Sequence, residues 1–94
     1  MILRLFRAGR RPEAGPRSVA ALRTGASGTV VRIASTAPER VVKLSSLGVM
    51  PGAWVTLVQR HPAVVLQIAE TTIAIDREVA DDIIVEPGDA GPRP

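Results

Sequence analysis

The segment from Leu44 to Gly52 constrains the fold of this chain more than any other stretch, because it ends a helix, turns the backbone and starts a strand within a few residues. Gly48 stands where the C-terminus of a helix needs a residue in the left-handed conformation. Pro51 and Gly52 provide the fixed φ and the positive φ of a type II turn. The segment therefore predicts structure and carries no chemistry of its own.

The residues before this segment predict where its helix begins. Thr36 and Glu39 have the spacing of a capping box, with Thr36 as the N-cap and Glu39 as the residue whose side chain bonds back to the Thr36 amide. This pattern predicts a helix from about Ala37 to Leu47. Arg40 and Lys43 are expected to face away from the apolar side of that helix.

Short runs of β-branched residues separated by turn residues predict an all-β fold of five or six short strands with one short helix. Alternation after the turn places Val55 and Leu57 in the core and Trp54 on the opposite face. Many short strands at close spacing favour a partly open barrel. The strands are predicted within or near residues 18–23, 29–34, 53–58, 64–68, 73–75 and 83–86, and a short helical turn at 76–81.

The basic charge of the chain is concentrated at its start. The 94 residues carry a formal net charge of +3, yet residues 1–17 alone hold five arginines against Glu13. Gly and Pro recur in that stretch, so we predict a flexible arm over residues 1–17 and a flexible tail over 88–94. The folded body, residues 18–87, is therefore nearly neutral.

Composition excludes several kinds of site. The chain has no cysteine, so disulfides and thiolate metal sites are excluded. Arg4 and Arg7 interrupt the apolar residues at the start of the sequence, which therefore does not form a secretory signal. No apolar run approaches the ~20 residues of a membrane-spanning helix.

Candidate catalytic or metal-binding residues are few. His61, the only histidine, is predicted on a hairpin loop beside Pro62, with no residue to position it as a base. The acidic residues from Asp76 to Asp82 offer oxygen ligands for a hard cation, but their spacing fits no ligand loop. Asp76 is expected to cap a helical turn while the others are solvated. The sequence predicts no catalytic, cofactor-binding or metal-binding residue, and no enzyme.

Trp54 is the best candidate for a contact with another protein. It is the only tryptophan in the chain, and alternation places it on the face away from the core. Exposed tryptophans often anchor protein partners. The sequence leaves open whether the barrel or the arm covers the indole instead. We predict Trp54, with Met50 at the adjacent turn, as the partner-binding residues.

Three ordered motifs make the chain resemble the ferrous iron transport protein A (FeoA) family. The first reads G-x-x-G-x-V-x-x-I over residues 25–33. The second reads L-x-x-L-G-V-x-P-G-x-x-V-x-L over 44–57, and the third I-A-I-D-R-E-V-A-D-D-I-I-V over 73–85. The resemblance covers about residues 18–87 and implies a small SH3-like barrel.

The resemblance also implies a function. Members of this family are small cytoplasmic accessory or regulatory proteins that work with the membrane ferrous iron transporter FeoB, a GTPase-coupled permease. The resemblance implies that FeoB is the partner and is bound on the cytoplasmic side of the membrane. It also implies that there is no small-molecule substrate and no cofactor. The effect on transport, direct iron binding and self-association stay open.

Two other interpretations remain. The same barrel resembles the C-terminal domain of iron-dependent repressors, although no helix-turn-helix precedes it in this sequence. A nucleic-acid adaptor could use the basic arm and the likeness of residues 25–33 to a KOW-type motif. The neutral body and the presence of only two aromatic residues, Phe6 and Trp54, argue against that adaptor.

Overall fold

A computed structural model describes residues 15–88 of this chain. Most of the predicted arm and tail, residues 1–14 and 89–94, lies outside the described residues. The elements are strand β1 (Arg17–Ser18), a 3₁₀ turn (Val19–Ala21), strand β2 (Ser27–Ile33), helix α1 (Pro38–Ser46), strands β3 (Trp54–Gln59), β4 (Val64–Ile68) and β5 (Thr71–Ile75), helix α2 (Arg77–Asp81) and strand β6 (Ile83–Gly88). The predicted all-β class is confirmed.

The six strands of the described region form one antiparallel sheet with the order β1-β6-β2-β3-β4-β5. Strand β6 returns from the end of the described region and pairs between β1 and β2. Alternate side chains of the strands meet in one core, which includes the predicted Val55 and Leu57. The largest fully buried side chains are Leu57, Leu66, Ile83, Val19, Val30, Val49, Val55, Val64 and Val85.

The C-terminus of α1 has the predicted left-handed glycine. Gly48 has a φ of +97°, and its N–H donates to the Ser45 carbonyl while the Val49 N–H donates to the Leu44 carbonyl, both at 2.9 Å. This pair of bonds is a Schellman motif, and buried Leu44 and Val49 provide the apolar contact that accompanies it. The predicted type II turn is also confirmed, since Gly52 has a φ of +95°.

The predicted capping box at the start of α1 is wrong. The N-cap is Ala37, which makes no side-chain cap bond, and the Ser35 hydroxyl accepts from the Ala37 N–H at 3.1 Å. The physical reason is Pro38, which occupies the first helical position and holds Ala37 extended. Glu39 is thereby moved to the second helical position, where it cannot bond back to the Thr36 amide.

The first strand is shorter than predicted. The strand consists only of Arg17 and Ser18, which pair with β6, and a 3₁₀ turn replaces the rest of the predicted strand. The Ser18 hydroxyl accepts from the Ala20 N–H at 3.0 Å and lies 3.2 Å from the Ala80 carbonyl oxygen, to which it donates. A side-chain bond to the backbone two residues on competes with strand pairing. None of the helices within residues 15–88 is long and apolar enough to cross a bilayer.

Candidate protein-docking surfaces

Trp54 opens β3 and lies between the core and the solvent. Burial alternates along the strand as predicted: Trp54 is half-buried, whereas the next residue, Val55, is fully buried. It pairs with Thr29 on β2. A Cβ placed on Gly88 would lie 3.4 Å from Cη2 of the indole, so the end of β6 packs against the outer edge of the ring. The end of β6 therefore covers part of the indole. The sequence left open whether the indole is exposed or covered, and the structure shows partial cover.

A shallow cavity of about 560 Å³ lies beside the indole, and we call it the Trp54 depression. Its rim is held in place by side-chain hydrogen bonds, because Ser27 and Thr56 share a 2.7 Å bond between hydroxyls. The Gln67 amide donates to the Ala69 carbonyl at 3.2 Å. The depression is lined by Ala53, Trp54, Thr56, Gln67, Ile68 and Ala69.

Met50 is exposed at 41% and stands at the start of the turn that leads into β3. That turn is fixed at both ends: the Ala53 N–H donates to the Met50 carbonyl at 2.9 Å, and the Gly52 N–H donates to the Val30 carbonyl at 2.8 Å. Met50 does not line the Trp54 depression. The structure therefore joins Met50 to Trp54 through a rigid turn and does not place both side chains in one cavity.

Two further apolar residues of the strands are exposed. Val31 and Val58 are exposed at 42% and 43%, and each lies where the strand pairing shifts register. Both continue the alternation of their strands, since Val31 follows buried Val30 and Val58 follows buried Leu57. The alternation of the strands therefore accounts for the exposure of both side chains.

A second cavity of about 410 Å³ lies between α1 and the end of β5, and we call it the α1–β5 groove. Arg40, predicted to face away from the fold, instead donates to the Asp82 carboxylate at 3.0 Å. The cause is tertiary, since Asp82 directly follows α2 and is 42 residues away from Arg40 in sequence. The groove is lined by Ala37, Glu39, Arg40, Lys43, Leu44, Leu47, Ala74, Ile75, Asp76 and Val79.

The candidate catalytic and metal-binding residues do not converge. His61 is exposed on the loop between β3 and β4. Within residues 15–88, no three His, Cys, Asp or Glu side chains are grouped to hold a metal ion. Asp76 occupies the N-cap position of α2, but the expected side-chain cap bond is absent from the described structure. Asp82, expected to be solvated, is instead paired with Arg40.

The family model described as the FeoA domain matches residues 17–87 of this chain. No curated protein sequence is significantly similar to this chain. Among solved structures, an iron uptake regulatory protein (FeoA) shares 22% identity and a TM-score of 0.71 over 78% of this chain and 97% of that one. The family match spans the chain from the start of β1 into β6.

Two further structures show how widely the fold is shared. Stenotrophomonas maltophilia FeoA in complex with zinc, described as an SH3 domain protein, shares 20% identity and a TM-score of 0.63, with 71% of this chain and 86% of that chain covered. IdeR of T. acidophilum shares 18% identity and a TM-score of 0.73, with 79% of this chain but only 35% of that one covered. The predicted SH3-like barrel is confirmed.

Proposed function

This chain belongs to the FeoA domain family, and we propose that it is an accessory protein of ferrous iron uptake that binds the cytoplasmic side of the membrane transporter FeoB. The observation that carries this proposal is the family match over residues 17–87, which spans β1 to β6 of the sheet. The S. maltophilia relative is described as possibly acting as an activating factor of ferrous iron transport. The role proposed here is docking without catalysis.

The Trp54 depression and Met50 are the surface that we assign to this docking. The half-buried indole presents apolar area to a partner. Its ring already packs against Gly88, so little side-chain freedom is lost on binding. Met50 adds a flexible apolar side chain on a rigid turn. The hydroxyl and amide groups of Thr56 and Gln67 give the depression a polar rim, the arrangement typical of protein interfaces.

The test is capture of FeoB from detergent-solubilised membranes on the immobilised full-length chain, in buffer of high ionic strength. We expect the wild-type chain to retain FeoB, and Trp54→Ala and Met50→Ala to weaken retention by at least about tenfold and threefold, the losses expected for a central and a peripheral interface residue. Val42→Ala is the matched control, since Val42 is exposed at 67% on α1 and lines neither cavity.

The outcomes separate the function from the surface. No retention by the folded wild-type chain would contradict FeoB binding itself. If Val42→Ala lowers FeoB retention as much as Trp54→Ala does, FeoB binding would still be supported, but the assigned surface would be contradicted. Retention that appears only at low salt and is lost on removing residues 1–14 would assign the contact to the basic segment instead.

A further inference from the structure

Strand β5 ends the sheet and has a free edge. Within the described region it pairs only with β4, through a hairpin whose two-residue loop is Ala69 and Glu70. The residues flanking a two-residue loop, here Ile68 and Thr71, exchange backbone hydrogen bonds, and bonded pairs then alternate along the strands. The N–H and C=O groups of Thr72 and Ala74 therefore point away from β4.

The α1–β5 groove lies beside this edge. Ala74 and Ile75 form one wall, and α1 forms the other. Its apolar surface comes from Leu44, Leu47 and Val79, and its volume of about 410 Å³ is of the size that takes a short peptide segment. An extended segment in this groove could bond to the outward backbone groups of β5 while one of its side chains rests on the apolar surface.

The charges in the groove select the kind of segment. Arg40 is neutralised by Asp82, whose carboxylate it contacts at 3.0 Å. Among residues 15–88 the carboxylates of Glu39 and Asp76 form no ion pair, and in the groove both face the single ammonium of Lys43. Asp76 directly follows β5, and its carboxylate makes no cap bond there. The groove thus favours a cationic occupant.

We propose that the free edge of β5 takes up an extended segment of a partner protein in which apolar residues alternate with lysine or arginine, and that this segment pairs with Thr72 and Ala74 as an added strand. The cationic side chain closest to the end of β5 pairs with Asp76. An apolar side chain fills the groove over Leu47 and Val79. This inference does not depend on iron transport or on the Trp54 depression.

The test uses short acetylated and amidated peptides of matched length and the full-length ¹⁵N-labelled chain. One peptide alternates valine with lysine, and the other alternates valine with glutamate. We expect the lysine peptide to slow amide hydrogen exchange at Thr72 and Ala74, while the amides of Thr71 and Ile73 change little because β4 already holds them. The glutamate peptide should bind at least about threefold more weakly.

Two variants separate the backbone contact from the charge contact. Ala74→Pro removes an outward N–H without removing a bond to β4, and should weaken binding by at least about fivefold. Asp76→Asn should weaken it by about two- to fivefold. Val42→Ser, outside the groove, should have no effect. If Ala74→Pro does not fold, the lysine peptide with N-methyl groups on the residues facing β5 makes the same test on the wild-type chain.

Three results would overturn the proposal. Binding of the N-methylated peptide as tightly as the parent peptide would exclude strand addition. Exchange that slows around Trp54 and not at Thr72 and Ala74 would place the peptide elsewhere. Protection of Thr72 and Ala74 that rises with protein concentration in the absence of peptide would make a second copy of this chain the occupant.

Discussion

Gly28 on β2 lies so close to Glu86 on β6 that a Cβ at position 28 would stand 2.7 Å from the Glu86 carbonyl oxygen. That oxygen belongs to the backbone of a paired strand, so it cannot move away without disturbing the ladder. We expect Gly28→Ala to lower the free energy of unfolding by about 1–3 kcal/mol, as overpacking does elsewhere. Urea denaturation followed by circular dichroism measures this change.

The control for Gly28→Ala is Thr24→Ala. Thr24 is exposed in the loop before β2, and its substitution should change the free energy of unfolding by less than about 0.5 kcal/mol. Equal stability of Gly28→Ala and Thr24→Ala would mean that β2 and β6 can separate at this point, contrary to the tight pairing observed.

Ala69 offers a substitution that should stabilise the chain. It has a φ of +55° in the hairpin loop between β4 and β5, a conformation that costs a residue with a Cβ about 1–2 kcal/mol. Glycine relieves that cost but loses about 0.5–1 kcal/mol through its greater freedom when unfolded. The difference favours Ala69→Gly by about 0.5–1 kcal/mol, which a shift of the urea midpoint at constant slope would show.

Ala63→Gly is the matched control for that substitution. Ala63 flanks the other end of β4, but its φ is not positive. Glycine there should lower stability, because only the entropic cost remains. A destabilising effect of both substitutions would show that the positive φ of Ala69 carries no strain.

The ion pair between Arg40 and Asp82 joins α1 to the end of α2 but should contribute little stability. Both side chains retain exposure, at 31% and 26%. Solvent screens such pairs, so a double-mutant cycle with Arg40→Ala and Asp82→Ala should give a coupling of about 0.2–1 kcal/mol. At an ionic strength of about 1 M, where the Debye length is about 3 Å, the coupling should fall. A coupling above that range that is insensitive to salt would identify a buried interaction instead.

Features specified by adjacent residues could be predicted from the sequence. The end of α1 and the turn that follows depend on Gly48, Pro51 and Gly52, whose backbone preferences act within a few residues. The alternation that buries Val55 and Leu57 is equally local. Where two local signals competed, as with Thr36 and Pro38, the fixed φ of proline decided the start of the helix.

Features that depend on strand order could not be predicted. The pairing of β6 between β1 and β2, the ion pair of Arg40 with Asp82 and the α1–β5 groove each join segments far apart in the chain. Periodicity and turn signals act within a few residues, so they do not predict contacts between segments that are far apart in the chain. The placement of Trp54 was predicted only as far as its face of the strand, because its partial cover by Gly88 arises from the same long-range pairing.

Trp54 and Leu57 lie on the same strand and should respond very differently to truncation. Leu57 is fully buried, so Leu57→Ala should lower the free energy of unfolding by about 2–5 kcal/mol, through lost contacts and the cavity left behind. Trp54 is half-buried beside an open depression, so Trp54→Ala should cost about 1 kcal/mol, which is about 4–8 °C in Tm for a domain of this size. Thermal unfolding of both variants measures the contrast.

The indole also reports on its own exposure, because Trp54 is the only tryptophan in the chain. Acrylamide should quench its fluorescence in the folded protein to an extent between that of a free indole and that of a fully buried one. A loss of stability in Trp54→Ala as large as that in Leu57→Ala, together with fluorescence that acrylamide does not quench, would assign Trp54 to the core and remove it from the docking surface.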